Sequence, residues 1–222
     1  IGERGIAAMA IEMDWGKDGE IIEVTSQNFA KDSLKIFGYD YSHEKLKGLR
    51  DLFKNVKKAY FYRLNTGNKA TTDIATAKCS GTRGNDIRIV VAKNIDDDTK
   101  YDVITYLGTK EVDKQTIKEV SELLDNDYVT FSMENLEVTA GKSLEGGTNG
   151  DVSGEAHQNF LDKLESYQVN AIGCTVKDES TSNLYVQYAK RLRDEQGIKF
   201  QVVLFNNAAN YEGVVNIKNT TV

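Results

Sequence analysis

Apolar and polar positions alternate most clearly between Ser80 and Gly108. Ile87, Ile89 and Val91 share one parity, with Arg88 and Val90 on the other. After the acidic turn Asn94-Ile95-Asp96-Asp97-Asp98, the residues Tyr101, Val103 and Thr105 alternate with Asp102, Ile104 and Tyr106. Side chains alternate across a strand, so this pattern predicts an antiparallel hairpin with one apolar face and one mixed face. Such a hairpin must pack on a second layer, which makes it the core of a small β domain.

The rest of the chain changes texture twice. Residues 5–13 and 21–24 read as strands. Ser26 is placed to cap a helix carrying Phe29, Leu34 and Phe37, with Gly38 just past its end. A second helix over 44–55 puts Leu46, Leu49, Leu52 and Phe53 on one side, and Ala59-Tyr60-Phe61-Tyr62-Arg63-Leu64 reads as a buried strand. Strands then dominate from 71 to 138, at 74–79, in the hairpin, at 128–133 and at 136–138. One amphipathic helix is predicted among them, starting near Asp113 and carrying Ile117, Val120 and Leu124.

A glycine-rich joint over 141–150 closes this block. Helices at 155–167 and 183–196 then alternate with strands at 169–176, 199–205 and 213–217. The expected organisation is an α/β domain made of residues 1–64 plus 147–222, with residues 65–146 inserted as a β-rich domain.

Composition narrows the function. The 222 residues are 40% hydrophobic and 28% charged, ordinary for a globular protein, and a net charge of −6 argues against a nucleic-acid partner. No apolar run approaches the roughly 20 residues that span a bilayer, and Ile1-Gly2-Glu3-Arg4 lacks the pattern of a signal peptide. The chain does not begin with Met and is expected to be an internal piece of a longer protein. Cys79 and Cys174 have no C-x-x-C companion, and with His43 and His157 they make no zinc pattern; Cys174 reads as a small buried hydrophobe.

Motifs that could carry chemistry are weak. Gly141-Lys142-Ser143 has the tail of a phosphate-binding loop, but Leu136 stands where its first glycine is needed and no helix start follows. Asp96-Asp97-Asp98 lacks the glycine and terminal glutamate of a calcium loop and reads as a solvated turn. His43 and His157 each lie near a predicted helix start among charged neighbours, where an exposed histidine is usual, and no G-x-S-x-G elbow is present. Trp15, Tyr60, Phe61 and Tyr62 read as core and interface bulk. No catalytic, cofactor-binding or metal-ligating residue is assigned. An α/β-scaffold hydrolase, using the glycine joint as its active-site loop, and an adhesion or carbohydrate-binding module on the β block remain the alternatives.

Several stretches together resemble the contractile phage tail sheath family, which includes the sheaths of tail-like bacteriocins. They are Gly2-Glu3-Arg4-Gly5-Ile6 with Trp15-Gly16, then Phe37-Gly38-Tyr39-Asp40, then Ala59 to Leu64 with Gly67-Asn68-Lys69-Ala70, then Gly81-Thr82-Arg83-Gly84-Asn85. Tyr106-Leu107-Gly108, Val112-Asp113-Lys114-Gln115, Asn126-Asp127-Tyr128-Val129-Thr130-Phe131 and Leu144-Glu145-Gly146-Gly147-Thr148-Asn149-Gly150 follow in the family's order.

The resemblance implies a non-catalytic, subtilisin-like α/β domain with an inserted β-sandwich-like domain. It implies a structural subunit of the virion tail sheath, assembled in the bacterial host cytoplasm, that polymerises helically around an inner tube and contracts. The partners it implies are other copies of the same chain, joined through terminal arms, with the tail tube protein, the baseplate and the tail terminator. It implies neither nucleic-acid binding nor membrane insertion.

Overall fold

The computed structural model describes residues 5–218; the Gly2-Glu3-Arg4 part of the family-like opening lies outside them. The chain forms thirteen strands among these residues, in three sheets.

The largest sheet is built from β1 (Ile6–Ile11), β2 (Ile21–Thr25), β3 (Lys58–Arg63), β11 (Ala171–Gly173), β12 (Gln201–Phe205) and β13 (Val214–Ile217). Its order is β13-β12-β11-β1-β3-β2, parallel except for β2, which pairs antiparallel with β3 at one edge. The chain winds outward from β1 in both directions, so helices fall on both faces. α1 (Phe29–Phe37) and α2 (Lys47–Phe53) connect β1 and β2 to β3; Phe29 and Phe37 of α1, with Leu46 of the 3-10 turn before α2, are buried against Val24, Ala59 and Phe61. α3 (Ala156–Leu164) and α4 (Glu179–Lys190) cover the other face, packing Phe160, Leu161, Tyr185 and Ala189 on Ala8, Tyr62, Ile172 and Val202.

The two faces are written into the strands by parity. Ile6, Ala8 and Ala10 meet α3 and α4, while Met9 and Ile11 lie toward α1 and α2.

A four-stranded sheet, β10-β6-β7-β8, holds the predicted hairpin at its centre: β6 (Ile87–Lys93) and β7 (Tyr101–Leu107) pair from Ile87↔Leu107 to Lys93↔Tyr101. β8 (Lys110–Ile117) and β10 (Thr139–Ser143) flank them. A three-stranded sheet of β4 (Lys69–Thr72), β5 (Ala75–Ser80) and β9 (Val129–Phe131) packs opposite, in the order β4-β5-β9. Ile87, Ile89, Val91 and Val103 fill the space between the two sheets with Ala75, Ala77 and Val129, so the apolar face of the hairpin meets its second layer.

Five expectations are corrected. The helix placed near Asp113 is the strand β8, followed by a short 3-10 turn at Val120–Glu122. The strand expected at 136–138 begins later, as β10, and Gly141 belongs to that strand rather than to a joint. Ser26 does not cap α1: Asn28 occupies the N-cap position, where its side-chain oxygen accepts from the Thr25 amide at 2.8 Å and its own amide donates to Thr25 Oγ1 at 3.2 Å. The helix expected from Asn183 starts four residues earlier, capped by Asp178, and its last turn widens into a π-helix at Arg191–Glu195. Gly38 does sit past the end of α1 in the left-handed conformation, its N–H bonded to Leu34 O at 2.9 Å.

Candidate functional site, a polar joint at the sheet crossing

Four segments meet where the large sheet gives way to the two smaller ones: 13–16, 63–68, 80–85 and 144–150. Each is a strand end or turn where the regular ladders stop, and side chains supply several of the backbone partners the ladders no longer provide. Asn65 follows β3 and is buried. Its oxygen accepts from Met13 N at 2.7 Å, and its amide donates to Met13 O at 2.7 Å and to Asn149 O at 2.8 Å. One side chain thus continues the β1–β3 pairing and ties it to the returning strand.

Asn149 accepts from Thr82 N at 2.8 Å, while Asn85 and Gly147 exchange two bonds, at 2.9 and 2.8 Å. Backbone bridges Asn65↔Val152 and Thr71↔Glu145 hold the outgoing and returning segments together. Close approach is enforced by glycine. Gly81 has φ +123°, and a Cβ there would lie 2.0 Å from Asp14 O; a Cβ on Gly67 would lie 2.0 Å from Thr148 O.

Two charged clusters flank this network. Arg63, the last residue of β3, is 1% exposed, and its Nη1 donates to Gly16 O and Ser80 O, both at 2.8 Å. Burial lowers its pKa, opposed by the charges of Asp18, Cys79 and Asp14, yet a guanidinium keeps its proton at neutral pH. Asp14 accepts from Tyr39 OH at 2.5 Å and from Lys45 Nζ at 2.5 Å, and Lys45 also donates to Tyr39 OH at 2.9 Å. Burial pushes the Asp14 carboxyl up, but the hydrogen bonds from Lys45 and Tyr39 outweigh it and hold it below the usual range. Arg83 completes the cluster, with Nε donating to Gly38 O at 2.8 Å and its guanidinium 4.7 Å from the Tyr39 ring centre.

Trp15 plugs the crossing: it is fully buried, its indole N–H bonds Lys35 O at 3.0 Å, and its ring lies 6.2 Å from that of Tyr128. The expectation that Trp15, Tyr60, Phe61 and Tyr62 are bulk holds, since all four are buried.

The residues weighed for chemistry are scattered. Gly141-Lys142-Ser143 lies on β10 with no helix behind it, and Lys142 pairs with Asp73. In the acidic turn Asn94 Oδ1 accepts from the amides of Asp96 and Asp97, and Asp97 turns back onto Thr99 and Lys100. Bonds from Thr99 and Lys100 lower the Asp97 carboxyl to about 2. His43 is exposed and caps a 3-10 turn, accepting from Lys45 N at 3.2 Å.

His157 is a correction. It is 7% exposed, not on the surface, because it begins α3 on the side facing α4, where its Nδ1 bonds Tyr185 OH at 2.7 Å. Burial lowers its pKa and the nearby Glu12 opposes this only partly. Cys174 is buried as expected, and burial raises its thiol, the opposite of what an attacking thiolate needs. Among the described residues no three His, Cys, Asp or Glu side chains gather as a metal site.

The joint was missed by sequence reasoning. Asn65 and Asn149 are 84 positions apart, and no periodicity links them. Arg63 gave the one usable signal: a charge inside an otherwise apolar strand needs buried partners.

The crossing is therefore held chiefly by hydrogen bonds from side chains to backbone groups. Three family models tile the chain: the Tail sheath protein Gp18 domain III N-terminal region over residues 4–64, the Phage tail sheath protein beta-sandwich domain over 65–149, and the Phage tail sheath protein central domain over 150–222. The chain belongs to the phage tail sheath protein family.

Crystal structures of sheath tail proteins agree. That from Desulfitobacterium hafniense superimposes with a TM-score of 0.90 at 40% identity, over 98% of this chain and 53% of its own. That from Listeria innocua gives 0.85 at 36%, over 99% and 51%. In Bacillus subtilis strain 168, the phage-like element PBSX protein XkdK is 34% identical over 98% of this chain and 51% of its own length, and YqbK is 35% identical over 97% and 51%. The chain spans about half the length of the curated relatives it matches.

Proposed function

We propose that these residues are the central part of a structural subunit that polymerises helically around an inner tube and contracts to drive that tube through a cell envelope. The observation that carries the reading is the order of the three sheath segments, which run through the chain without interruption around the braced joint. We read residues 1–64 plus 147–222 as one α/β domain, a non-catalytic variant of the subtilisin-like scaffold, and 65–146 as the inserted β domain. Parallel strands with helices on both faces and a separate pair of antiparallel sheets support that division.

Identical subunits joined by head-to-tail, non-closing contacts generate a helix. Contraction then needs two arrangements of the same contacts, the extended one metastable, with free energy stored during assembly rather than drawn from a nucleotide. A subunit used this way must transmit motion without deforming, and the joint gives it that stiffness. Its partners are other copies of itself, the tube, the baseplate and the tail terminator, and it acts in the virion tail after assembly in the host cytoplasm.

Electron microscopy of the full-length polypeptide tests this. Hollow tubes of regular diameter at high concentration are expected; dispersed monomers under all assembly conditions would overturn it.

A further inference from the structure

Parallel strands occur almost only in sheets covered on both faces, and their sequences are then apolar on both parities. β12 obeys this in sequence: Val202, Val203, Leu204 and Phe205 are all apolar. In the structure only one parity is covered. Val202 and Leu204 are buried beneath the helices, whereas Val203 and Phe205 are only half-buried.

Strand register extends this open strip sideways. Val203 sits beside Gly173 and Val215, Phe205 beside Ile217, and Gly173 beside Met9. Val215 is 40% and Ile217 46% exposed. α1 and α2 cover the same face, but only above β1, β3 and β2. The remainder is a cleft of about 510 Å³ with Leu52 of α2 lining it and the small residues Ala171 and Gly173 among its floor. Its one charged lining residue among the described residues, Lys177, lies with its ammonium 5.8 Å from the Phe205 ring centre. The strip lies beside α2, which covers the neighbouring half of the same face.

We propose that this half-face is closed by an apolar, helix-forming segment from the part of the full-length sheath polypeptide that lies outside these 222 residues. The matching relatives carry nearly as much polypeptide again, since only 51–53% of their length is covered. A segment in the same chain is held near the cleft at an effective concentration in the millimolar range, which a separate copy does not match at ordinary protein concentration. The inference rests on family membership and on the sheet, and does not depend on tube formation.

The test uses the full-length polypeptide, kept monomeric, carrying Val215→Cys or Ile217→Cys, with Ile95→Cys at the 96% exposed hairpin tip as reference. Maleimide labelling is read peptide by peptide, which separates these sites from Cys79 and Cys174. Positions 215 and 217 are expected to label at least about 100-fold more slowly than position 95, as for groups reached only by local opening. Dilution should leave that protection unchanged.

Labelling at the rate of position 95 would overturn the proposal, and so would protection that disappears on dilution, the mark of a second copy. Should the cysteine variants misfold, hydroxyl-radical labelling of the Val215 and Ile217 side chains in the unaltered full-length polypeptide decides: protection relative to Ile95, unchanged on dilution, supports an intramolecular cover, and labelling at the Ile95 level removes it.

Discussion

Asn65→Ala isolates what the joint contributes. The substitution removes three hydrogen bonds of 2.7, 2.7 and 2.8 Å and leaves Met13 N, Met13 O and Asn149 O without that partner. Asn65 is 2% exposed, so solvent does not readily replace the lost amide. At about 1 kcal/mol per bond, and more where a buried group stays unsatisfied, the expected loss is about 3 kcal/mol. For a chain of this size that corresponds to a fall in Tm of roughly 6–12 °C.

Calorimetry and urea unfolding measure it. Because one of the lost bonds, that to Asn149 O, joins the large sheet to the returning segment, the unfolding endotherm should also broaden or split, as the two parts cease to melt together. Asn65→Asp serves as the comparison: it keeps an acceptor for Met13 N but turns a carboxylate toward two carbonyl oxygens, and should be at least as destabilised. If Asn65→Ala melts within about 1 °C of the parent as a single transition, the joint does not brace the molecule and the reasoning fails.

Three further outcomes are expected. Gly81→Ala would force a Cβ to within 2.0 Å of Asp14 O at φ +123°, and should lose about 3 kcal/mol or more, seen as a collapsed urea midpoint. Trp15→Ala should cost about 3–5 kcal/mol, with the near-ultraviolet signal of Tyr128 changed as well. His157 has a folded pKa below its ordinary 6.5, so the unfolded state takes up the proton first. Its contribution is present above about pH 6.5 and is lost as pH falls from there toward the lower folded value, so the urea midpoint should drop in that window. His157→Phe should flatten the drop, and an unchanged slope would show that another group titrates.

What the sequence revealed depended on burial. The hairpin was legible because β6 and β7 lie mid-sheet with one face sealed, which forces Ile87, Ile89 and Val91 onto one parity. β8 was misread because only one of its residues, Ile117, is buried; the rest of Lys-Glu-Val-Asp-Lys-Gln-Thr-Ile is open enough to tolerate polar residues on both sides. Its apolar positions then fit a helical spacing as well as a strand. Likewise β10 is polar and glycine-bearing at the edge of its sheet, so it resembled a loop. His157 was placed outside because its neighbours in sequence are polar, whereas what buries it is Tyr185 on another helix. The joint was least visible, since its asparagines satisfy backbone groups brought together only by the finished fold.

The antiparallel bridge between Asn65 and Val152 also bears on how such a chain can change. The polypeptide leaves the α/β layer and re-enters it at neighbouring positions, so a module of different length could be carried there without redrawing the order of the parallel sheet, provided it keeps what Trp15, Arg63 and Asn65 now find at Tyr128, Ser80 and Asn149.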